Sequence, residues 1–185
     1  KASSGTGQTA ATACTTCVDG HYSVGDGNAA CTACAHGKYG DPGTDTSVDT
    51  HCTDCPNGTW QDGTGHTPVT SCKACILGKQ GAGAGATSDT CTICAAGRYA
   101  AATGTATCDA CPIGTYLEDA GTDNALHNAL AKCVVCVPGR YTDDQATATC
   151  KACPEGKFLP QDDADGHNEE GDCKACVTGQ YQVQT

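Results

Sequence analysis

Residues 108–116 read Cys-Asp-Ala-Cys-Pro-Ile-Gly-Thr-Tyr, a Cys-x-x-Cys pair followed by a glycine and an aromatic residue at fixed spacing. Such pairs occur nine times in 185 residues and include all 18 cysteines. Consecutive pairs begin 17 to 25 residues apart, and a repeat of this period indicates a tandem-repeat architecture. The pairs are Cys14/Cys17, Cys31/Cys34, Cys52/Cys55, Cys72/Cys75, Cys91/Cys94, Cys108/Cys111, Cys133/Cys136, Cys150/Cys153 and Cys173/Cys176.

The composition cannot support an ordinary hydrophobic core. Leu, Ile, Val and Phe together make up 18 of 185 residues, a level at which a charged chain normally stays disordered. Cysteine is equally abundant, and disulfides replace the core in small extracellular domains. A disulfide that closes a loop of ~15 residues contributes about 3 kcal/mol in the loop-entropy model. The sequence therefore predicts a disulfide-stapled protein that is secreted or lies at the cell surface.

Charge and hydropathy exclude several partners. The chain has 21 acidic against 10 basic residues, and this net charge of −11 disfavours nucleic-acid binding. There is no long apolar run, so no membrane span is expected in this segment. Because neither an initiator methionine nor a signal peptide is present, we expect a processed chain or a segment of a longer one.

Two positions after each Cys pair keep a constant register. A glycine that recurs in every copy suggests a turn with positive φ or a close backbone approach. The aromatic residue two positions later is predicted to begin a short strand and to cover a disulfide. The glycines are Gly20, Gly37, Gly58, Gly78, Gly97, Gly114, Gly139, Gly156 and Gly179. The aromatic position holds Tyr22, Tyr39, Trp60, Gln80, Tyr99, Tyr116, Tyr141, Phe158 and Tyr181, where Gln80 is the single exception to aromatic character.

The predicted fold class is small, disulfide-rich and mostly irregular, with short β-hairpins in an elongated, solenoid-like rod that has no conventional hydrophobic core. The whole of 1–185 is one tandem array of about nine modules. Their approximate ranges are 14–30, 31–51, 52–71, 72–90, 91–107, 108–132, 133–149, 150–172 and 173–185, the last continuing into 1–13 of a next copy.

The cysteine pairing follows from the repeat. Two cysteines separated by two residues rarely bond each other, because the intervening backbone strains the geometry. We therefore expect the second cysteine of one pair to bond the first of the next, although spacing alone leaves crossed connectivities open. The expected bonds are Cys17–Cys31, Cys34–Cys52, Cys55–Cys72, Cys75–Cys91, Cys94–Cys108, Cys111–Cys133, Cys136–Cys150 and Cys153–Cys173.

This pairing leaves Cys14 and Cys176 as half-modules at the two ends. Joining the end to the start places Gly179 and Tyr181 in register, so either the polypeptide continues or copies assemble head to tail through an inter-copy Cys176–Cys14 bond. The expected partner is therefore the chain itself, since a head-to-tail contact that does not close generates a filament. Two free thiols are the alternative.

Three local features carry further expectations. Gly81 to Ala86 alternates Gly and Ala and is expected to form a flexible hairpin tip, and Asp123 to Lys132 is expected to form one or two helical turns capped by Asp123. The basic residues between glycine and aromatic (Lys38, Lys79, Arg98, Arg140, Lys157) are expected to be solvated surface charges.

Metal-binding, redox and catalytic sites fit this sequence less well than structural disulfides do. Zinc needs four thiolates from two pairs, which leaves one of nine pairs over, and a thioredoxin-like site needs a single pair on a βαβ scaffold. The six histidines (His21, His36, His51, His66, His127, His167) share no module register and are expected at the surface. The acidic stretch 162–172 lacks EF-hand spacing and is expected to be solvated. No catalytic group, metal or cofactor is predicted, and the chain is not expected to be an enzyme.

Sugars are the expected attachments. Asn57-Gly58-Thr59 is an N-glycosylation sequon. Threonine clusters in the loops are O-linked candidates, namely Thr15-Thr16, Thr103-Thr105-Thr107 and Thr147-Thr149.

The openings Cys-Pro-Ile-Gly-Thr-Tyr (111–116), Cys-Pro-Asn-Gly-Thr-Trp (55–60) and Cys-Pro-Glu-Gly-Lys-Phe (153–158) resemble those of tumour-necrosis-factor-receptor modules and ephrin-receptor-like cysteine-rich repeats. Similar arrays occur in cysteine-rich protist surface antigens. The resemblance implies stacked β-hairpin modules with one loop disulfide each. The chain lacks the additional crossed-disulfide module of the receptors.

Two functions follow. The first is a structural extracellular protein that forms or decorates a surface filament or coat, with acidic and glycosylated loops that keep it hydrated. The alternative is a ligand-binding or adhesion ectodomain or stalk of a cell-surface receptor, whose longer loops after Cys111 and Cys153 would make the contacts.

Overall fold

The computed structural model of the chain describes residues 2–3, 14–24, 30–40, 51–81, 83–160, 164–178 and 180. Within these residues, 18 strands of two or three residues pair into nine antiparallel two-stranded sheets. The pairs are Ala2–Ser3 with Cys14–Thr15, His21–Tyr22 with Thr32–Ala33, Lys38–Gly40 with Cys52–Asp54, Thr59–Trp60 with Lys73–Ala74, Lys79–Gln80 with Thr92–Ile93, Arg98–Tyr99 with Asp109–Ala110, Thr115–Tyr116 with Val134–Val135, Arg140–Tyr141 with Lys151–Ala152, and Lys157–Phe158 with Lys174–Ala175. The predicted disulfide-rich hairpin fold is confirmed.

Eight of the nine described sheets are each closed by a disulfide. The sulfur atoms of the eight expected pairs lie 1.92 to 2.07 Å apart, with Cα–Cα distances of 5.5 to 5.9 Å. We number the hairpins by these bonds. Hairpins 1 to 8 are closed by Cys17–Cys31, Cys34–Cys52, Cys55–Cys72, Cys75–Cys91, Cys94–Cys108, Cys111–Cys133, Cys136–Cys150 and Cys153–Cys173.

The strand register is the same in every hairpin. The residue at the aromatic position lies opposite the first residue inside the closing Cys pair, as Trp60 lies opposite Lys73. The sequence predicted that the aromatic residue begins the strand, and this prediction is wrong. The residue before it is already paired, as Thr59 lies opposite Ala74.

Apart from His51, which is α-helical, the described helical residues form short 3-10 turns. They span Val69–Ser71, Asn124–Leu126, Leu130–Lys132, Ala164–His167 and Glu170–Asp172. The turns expected within Asp123 to Lys132 are confirmed, and the Asp123 carboxylate caps the first by accepting the N–H of Ala125 at 2.8 Å. None of the helices in the described part has the length and apolar character needed to cross a membrane.

The buried apolar residues are mostly sulfur. Eleven of the fifteen in the described residues are cysteines, and the others are Ala100, Leu117, Tyr141 and Leu159. The disulfides thus occupy the interior that Leu, Ile, Val and Phe fill in an ordinary domain.

The chain forms two compact units. Unit 1 contains Lys1–Cys75, Gly81–Cys91 and Gly104–Ala106, and unit 2 contains Ile76–Gln80, Thr92–Thr103 and Thr107–Thr185. The arrangement into nine modules and the rod shape stay predictions.

Candidate functional site: contacts between successive hairpins

Every hairpin starts with the same tight turn. In hairpin 3 the carbonyl of Pro56 accepts the N–H of Thr59 at 3.0 Å, and the third turn residue, Gly58, has φ +82°. Because Gly58 has positive φ and the second turn residue, Asn57, does not, the turn is of type II, which glycine adopts without strain. The turn glycines from Gly20 to Gly156 all have φ between +73° and +82°, and Gly179 lies outside the described residues.

The turn glycine has a second reason to lack a side chain. A Cβ atom on Gly58 would overlap the carbonyl oxygen of Gly104, which belongs to hairpin 5. The same holds within unit 1 for Gly20 and Gly37 and within unit 2 for Gly78 and Gly97. Their blocking backbone atoms belong to Gly65, Gly85, Asn124 and Ala146, respectively. Each of these turns therefore packs directly on the backbone of the hairpin two places further along.

The residue after the aromatic position, which we call the bridging residue, connects three hairpins. In unit 1 the carbonyl of Gln61 accepts the N–H of Gly37 at 2.9 Å, and its own N–H donates to the carbonyl of Ala86 at 3.0 Å. In unit 2 Thr142 accepts from Gly114 at 2.9 Å and donates to His167 at 2.9 Å. All described bridging residues are buried: Ser23, Gly40, Gln61, Gly81, Ala100, Leu117, Thr142 and Leu159.

A loop residue in the left-handed region completes the contact. It lies five residues after the aromatic position, and in hairpin 3 this residue is Gly65, with φ +68°. Its N–H donates to the carbonyl of Cys34, which opens the preceding hairpin, at 2.9 Å. The equivalent left-handed residues are Gly85, Gly104, Gly121 and Ala146. Ala146, with φ +56°, is the one described non-glycine residue in this conformation, and it donates to Cys111 at 3.0 Å.

The Gly-Ala segment is part of this system. Gly85 donates to the carbonyl of Cys55 at 2.8 Å, and Ala86 forms a parallel bridge with Trp60. The expectation of a flexible hairpin tip at Gly81 to Ala86 is therefore wrong for Gly85 and Ala86, since both are hydrogen-bonded to the preceding hairpin, while Ala82 lies outside the described residues.

Three histidines are buried, which corrects their expected surface position. The exposed fractions of His51, His127 and His167 are 2%, 0% and 0%. The Nδ1 atom of His127 lies 2.6 Å from the carbonyl oxygen of Arg98, and that of His167 lies 2.7 Å from the carbonyl oxygen of Arg140. For His127 and His167 burial is tolerated because a carbonyl of the preceding hairpin satisfies the ring.

Three of the six histidines share a register that is visible only when residues are counted back from the closing Cys pair. His66, His127 and His167 each lie six residues before the first cysteine of that pair. The backbone carbonyl of each accepts the N–H of the preceding bridging residue, from Gly40 at 2.8 Å, Ala100 at 2.8 Å and Thr142 at 2.9 Å. The expectation that the six histidines share no register is therefore wrong for these three, because the variable loop lengths hide the register when modules are aligned on the second cysteine.

Asp119 holds the loop of hairpin 6 around His127. Its Oδ2 atom lies 2.9 Å from Nε2 of His127 and accepts the N–H of Thr122 at 2.8 Å. The Thr122 hydroxyl, followed by His127, holds the pKa of Asp119 well below its usual value. With the Arg98 carbonyl on one side and the Asp119 carboxylate on the other, both ring nitrogens lie within hydrogen-bond distance of an oxygen atom.

The basic residues are paired more often than expected. Lys73 lies 4.5 Å above the Trp60 ring and 2.7 Å from Asp62, whose pKa it lowers by hydrogen bonding. Lys38 pairs across the strands with Asp54 at 2.6 Å, and Lys157 lies 3.5 Å from Glu170. These groups stay half-exposed, so each pair contributes at most ~1 kcal/mol.

Arginine makes a different contact from lysine at the same register. The Nη1 atoms of Arg98 and Arg140 donate to the carbonyls of Cys108 and Cys150, both at 3.1 Å. Each arginine therefore ties the first strand of its hairpin to the cysteine that closes it.

The aromatic position packs against the next hairpin where the structure shows its contacts. Tyr141 clusters with Leu159 and with the disulfide of hairpin 8, and burial raises the pKa of its phenol. Gln80 takes the same position in hairpin 4, where its Oε1 atom accepts the N–H of Cys108 at 2.8 Å. This hydrogen bond explains why a polar residue is accepted there. Tyr181 lies outside the described residues.

The remaining predicted site residues are placed as follows. Cys176 is free and half-buried, and the side chain of Cys14 lies outside the described part. Asn57 is exposed at the second position of its turn. Within the acidic stretch, Asp172 accepts the N–H groups of Asn168 and Glu169 at 3.2 Å, so this carboxylate stabilises a 3-10 turn; 161–163 lie outside the described residues.

Hairpins 6 and 7 carry two open cavities that share Tyr116 and Glu118. One, of about 290 Å³, is also lined by Leu126, Lys132 and Val134. The other, of about 180 Å³, is lined by Val137, Arg140 and Thr149 in addition to the shared pair. Both combine an aromatic ring with charged side chains.

A further residue type recurs at a constant register in the sequence. The residue that follows the second cysteine of each pair is apolar in all nine copies: Val18, Ala35, Pro56, Ile76, Ala95, Pro112, Val137, Pro154 and Val177. Eight of the nine are exposed, Val18 at 70% and Val177 at 65%. A repeated, exposed apolar residue at one register differs from the scattered apolar residues of an ordinary surface.

The family described as tyrosine-protein kinase ephrin type A/B receptor-like matches the chain twice, over residues 81–127 and 121–170. The two matches together span 81–170, slightly less than half of the chain. The predicted resemblance to ephrin-receptor-like cysteine-rich modules is thereby confirmed for this segment. No curated protein matches the chain.

Proposed function

We propose that the chain is a structural repeat protein that forms or decorates a surface filament or coat. The disulfides and the ephrin-receptor-like module point to an extracellular or cell-surface location. Modules of that type are non-catalytic. The observation that carries the proposal is the bridging residue, exemplified by Gln61 and Thr142, whose backbone is hydrogen-bonded to hairpins on both sides.

This contact supports a mechanical role. The hydrogen bonds run between backbone atoms, so they do not depend on a particular side chain and can repeat along a variable sequence. A disulfide limits the extension of each hairpin, because the residues between its two cysteines cannot unravel. Resistance to denaturation then comes from many small, locally closed units.

Self-association is proposed through Cys14 and Cys176, the two cysteines that the pairing of successive Cys-x-x-Cys pairs leaves over. The strand Ala2–Ser3 pairs with Cys14–Thr15, and Ala2 lies opposite Thr15 in the register that the aromatic position takes elsewhere. We propose that Cys176 of one copy bonds Cys14 of the next and crosslinks the two copies. Two thiols lose two protons and two electrons in this step to a small-molecule disulfide, which leaves as two thiols.

Sugars are proposed on the exposed loops. Asn57 is exposed in the sequon. Thr103, Thr107 and Thr149 are exposed, whereas the hydroxyl of Thr147 is hydrogen-bonded to the Thr115 carbonyl at 3.3 Å and is the poorer acceptor. Sugars on these loops would cover backbone edges that such thin hairpins leave open.

The second candidate is a ligand-binding or adhesion ectodomain. It is favoured by the two cavities around Tyr116, which lie in the matched segment and include the loop after Cys111. Aromatic rings with nearby charges are common in recognition sites.

Negative-stain microscopy of the native material separates the two functions. Regular fibres or a coat layer support the structural role, and isolated single particles support the receptor role. Intact mass with and without reduction then reports covalent multimers and attached sugar together. A protein that stays single and unmodified under oxidising conditions contradicts the structural proposal.

A further inference from the structure

Hairpin 3 holds an ammonium group on its aromatic residue. Lys73 lies across the strands from Trp60, and its Nζ atom lies 4.5 Å from the centre of the ring. The same atom lies 2.7 Å from the Asp62 carboxylate. An ammonium group is attracted both by the face of an aromatic ring and by a carboxylate. The fold therefore contains its own example of how a cation is bound at the aromatic position.

Hairpin 7 repeats the ion pair of hairpin 3. Lys151 lies across the strands from Tyr141 and pairs with Asp143. Asp143 follows Tyr141 by two residues, just as Asp62 follows Trp60. In both hairpins, the lysine opposite the aromatic residue thus partners the acidic residue two positions after it.

Hairpin 6 keeps the ring and the acidic residue but has no lysine opposite them. Tyr116 lies opposite Val134, and Glu118 follows Tyr116 by two residues. Glu118 is exposed, and its carboxylate makes no ion pair or hydrogen bond with a residue that the structure describes. Both cavities of hairpins 6 and 7 are lined by Tyr116 and Glu118. Hairpin 6 therefore offers the ring and the carboxylate without an ammonium group of its own.

The larger cavity also suits the chain that carries an ammonium group. Leu126, Ala131 and Val134 line its volume of about 290 Å³ with apolar side chains. Lysine-type side chains bury their methylene stems on apolar surface and keep the charged end in a polar environment. An inorganic cation has no such stem, so these walls favour an organic amine. Asp119 lines the same cavity and adds a second negative charge, because its pKa is well below the usual value.

Two basic residues line the cavities as well. Arg140 lies in the smaller cavity, where its Nη1 atom is engaged by the Cys150 carbonyl at 3.1 Å. Lys132 lies in the larger cavity and forms no ion pair within the described part of the chain, so it repels a bound cation. An anionic ligand would instead depend on Lys132. Cationic and anionic ligands therefore predict opposite effects when this side chain is removed.

We infer that Tyr116 and Glu118 form a binding site for an alkylammonium group, whose alkyl chain lies against Leu126 and Val134. The group belongs either to a lysine side chain of a partner protein or to a free amine. The net charge of −11 attracts both. This inference rests on the second candidate function, a ligand-binding ectodomain, and names the class of its ligand.

The test is an NMR titration of the full, oxidised, isotope-labelled chain at constant ionic strength. It extends over millimolar concentrations, because exposed ion pairs and cation–π contacts are weak. The probes are Nα-acetyl-lysine methylamide, cadaverine and, as a neutral control, the lysine derivative acetylated on both nitrogens. Saturable shifts of the hairpin 6 amide signals are expected with the first two probes only. Tighter binding of the lysine derivative indicates a partner's side chain, and tighter binding of cadaverine indicates a free amine.

Substitutions of Val134 test the comparison between hairpins directly. Val134 is 52% exposed, so a longer side chain fits there. Val134→Lys restores the residue type found in hairpins 3 and 7 and is expected to abolish binding, because the introduced ammonium takes the place of the ligand. Val134→Thr keeps the size of the side chain and is expected to stay within about twofold of the wild type.

The ring and the carboxylate are tested with controls of the same residue type. Glu118→Gln is expected to weaken amine binding about fivefold. Tyr116→Leu is expected to weaken it about threefold. Glu155→Gln and Tyr22→Leu are the controls, since both residues line neither cavity, and they are expected to stay within about twofold of the wild type. Lys132→Ala is expected to leave amine binding unchanged or to tighten it.

Several results would overturn the inference. They are the absence of a saturable shift with either amine, equal shifts with the neutral probe, unchanged binding in Val134→Lys, and weaker binding in Lys132→Ala. Microscopy of the native material then separates this failure from that of the ectodomain function. Single particles that bind no amine leave an ectodomain with another class of ligand, whereas regular fibres show that the ectodomain function is wrong as well.

Discussion

The Nε2 atom of His127 lies 2.9 Å from Oδ2 of Asp119, eight residues earlier in the same hairpin, while the opposite ring nitrogen reaches the preceding hairpin at Arg98. One side chain thus fixes the longest loop and fastens it to its neighbour. This position replaces apolar packing with two hydrogen bonds, in a chain that has few apolar residues to offer.

Replacing His127 by alanine is expected to lower the free energy of unfolding by about 1–3 kcal/mol, because the Arg98 carbonyl and the Asp119 carboxylate lose their buried partner. Guanidinium unfolding with intact disulfides measures the change. His36→Ala is the control, since His36 is exposed, and its effect is expected to stay within about 0.5 kcal/mol. Equal stability of the two variants would contradict a role for the His127 contacts.

Acid is expected to lower the stability of hairpin 6, because Asp119 becomes protonated. The Thr122 hydroxyl and His127 lower the pKa of this carboxyl in the folded protein, so the folded state stabilises the ionised form. That stabilisation is fully present above the ordinary value of 3.8 and is lost as the pH falls toward the lowered pKa. Asp119→Asn should therefore be less stable than the wild type at pH 7, and its melting temperature should change less between pH 7 and pH 3. Identical pH profiles for both proteins would refute this assignment.

The turn glycine is required both by its positive φ and by its contact with the backbone of the hairpin two places further along. Two substitutions can separate the effects of these two requirements on stability. Gly97→Ala places a methyl group on the backbone of Ala146, whereas Gly83→Ala places one in space that the described residues leave open. Both variants carry the strain of positive φ. We expect Gly97→Ala to be less stable than Gly83→Ala by about 1–3 kcal/mol, the typical cost of overpacking. Denaturant midpoints that coincide would mean that the hairpins are not in close contact at this point.

Ala146 offers a gain in stability. It takes the left-handed conformation that glycine provides in four other hairpins, and this costs a non-glycine residue about 1–2 kcal/mol. The greater freedom of glycine in the unfolded chain offsets part of the gain. Ala146→Gly is expected to stabilise the protein by about 0.5–1 kcal/mol, measured by thermal unfolding. Ala120→Gly, at an exposed alanine whose φ is not positive, should destabilise it instead.

The disulfide connectivity can be tested by mass mapping of peptides cut without reduction. The expected fragments join the second cysteine of each pair to the first of the next, from Cys17–Cys31 to Cys153–Cys173. Reduction is expected to unfold the chain almost completely, because cysteines make up most of the buried apolar residues. Bonds within a Cys-x-x-Cys pair, or a reduced protein that keeps its protease resistance, would overturn this account.

Much of the hairpin was predictable from the sequence. The repeat of Cys-x-x-Cys, glycine and aromatic residue implied short antiparallel strands closed by disulfides. Asp123, a residue type that is common at helix N-caps, indicated the helical turn that follows it. These features are local: a turn with positive φ selects glycine, and a cysteine pair that cannot bond internally must find partners in the next copy.

The relation between hairpins was decided only by the tertiary structure. The bridging position holds Ser, Gly, Gln, Ala, Leu and Thr, so its residue types carry no pattern, yet all its described members are buried. The reason is that its contacts are made by backbone N–H and carbonyl groups, which every one of these residue types possesses. The burial of two histidines was not predicted from the sequence for a related reason. Whether His127 and His167 are exposed depends on a carbonyl supplied by the preceding hairpin, about 27 to 29 residues away in the chain, and no local pattern specifies which distant backbone atom will face the ring.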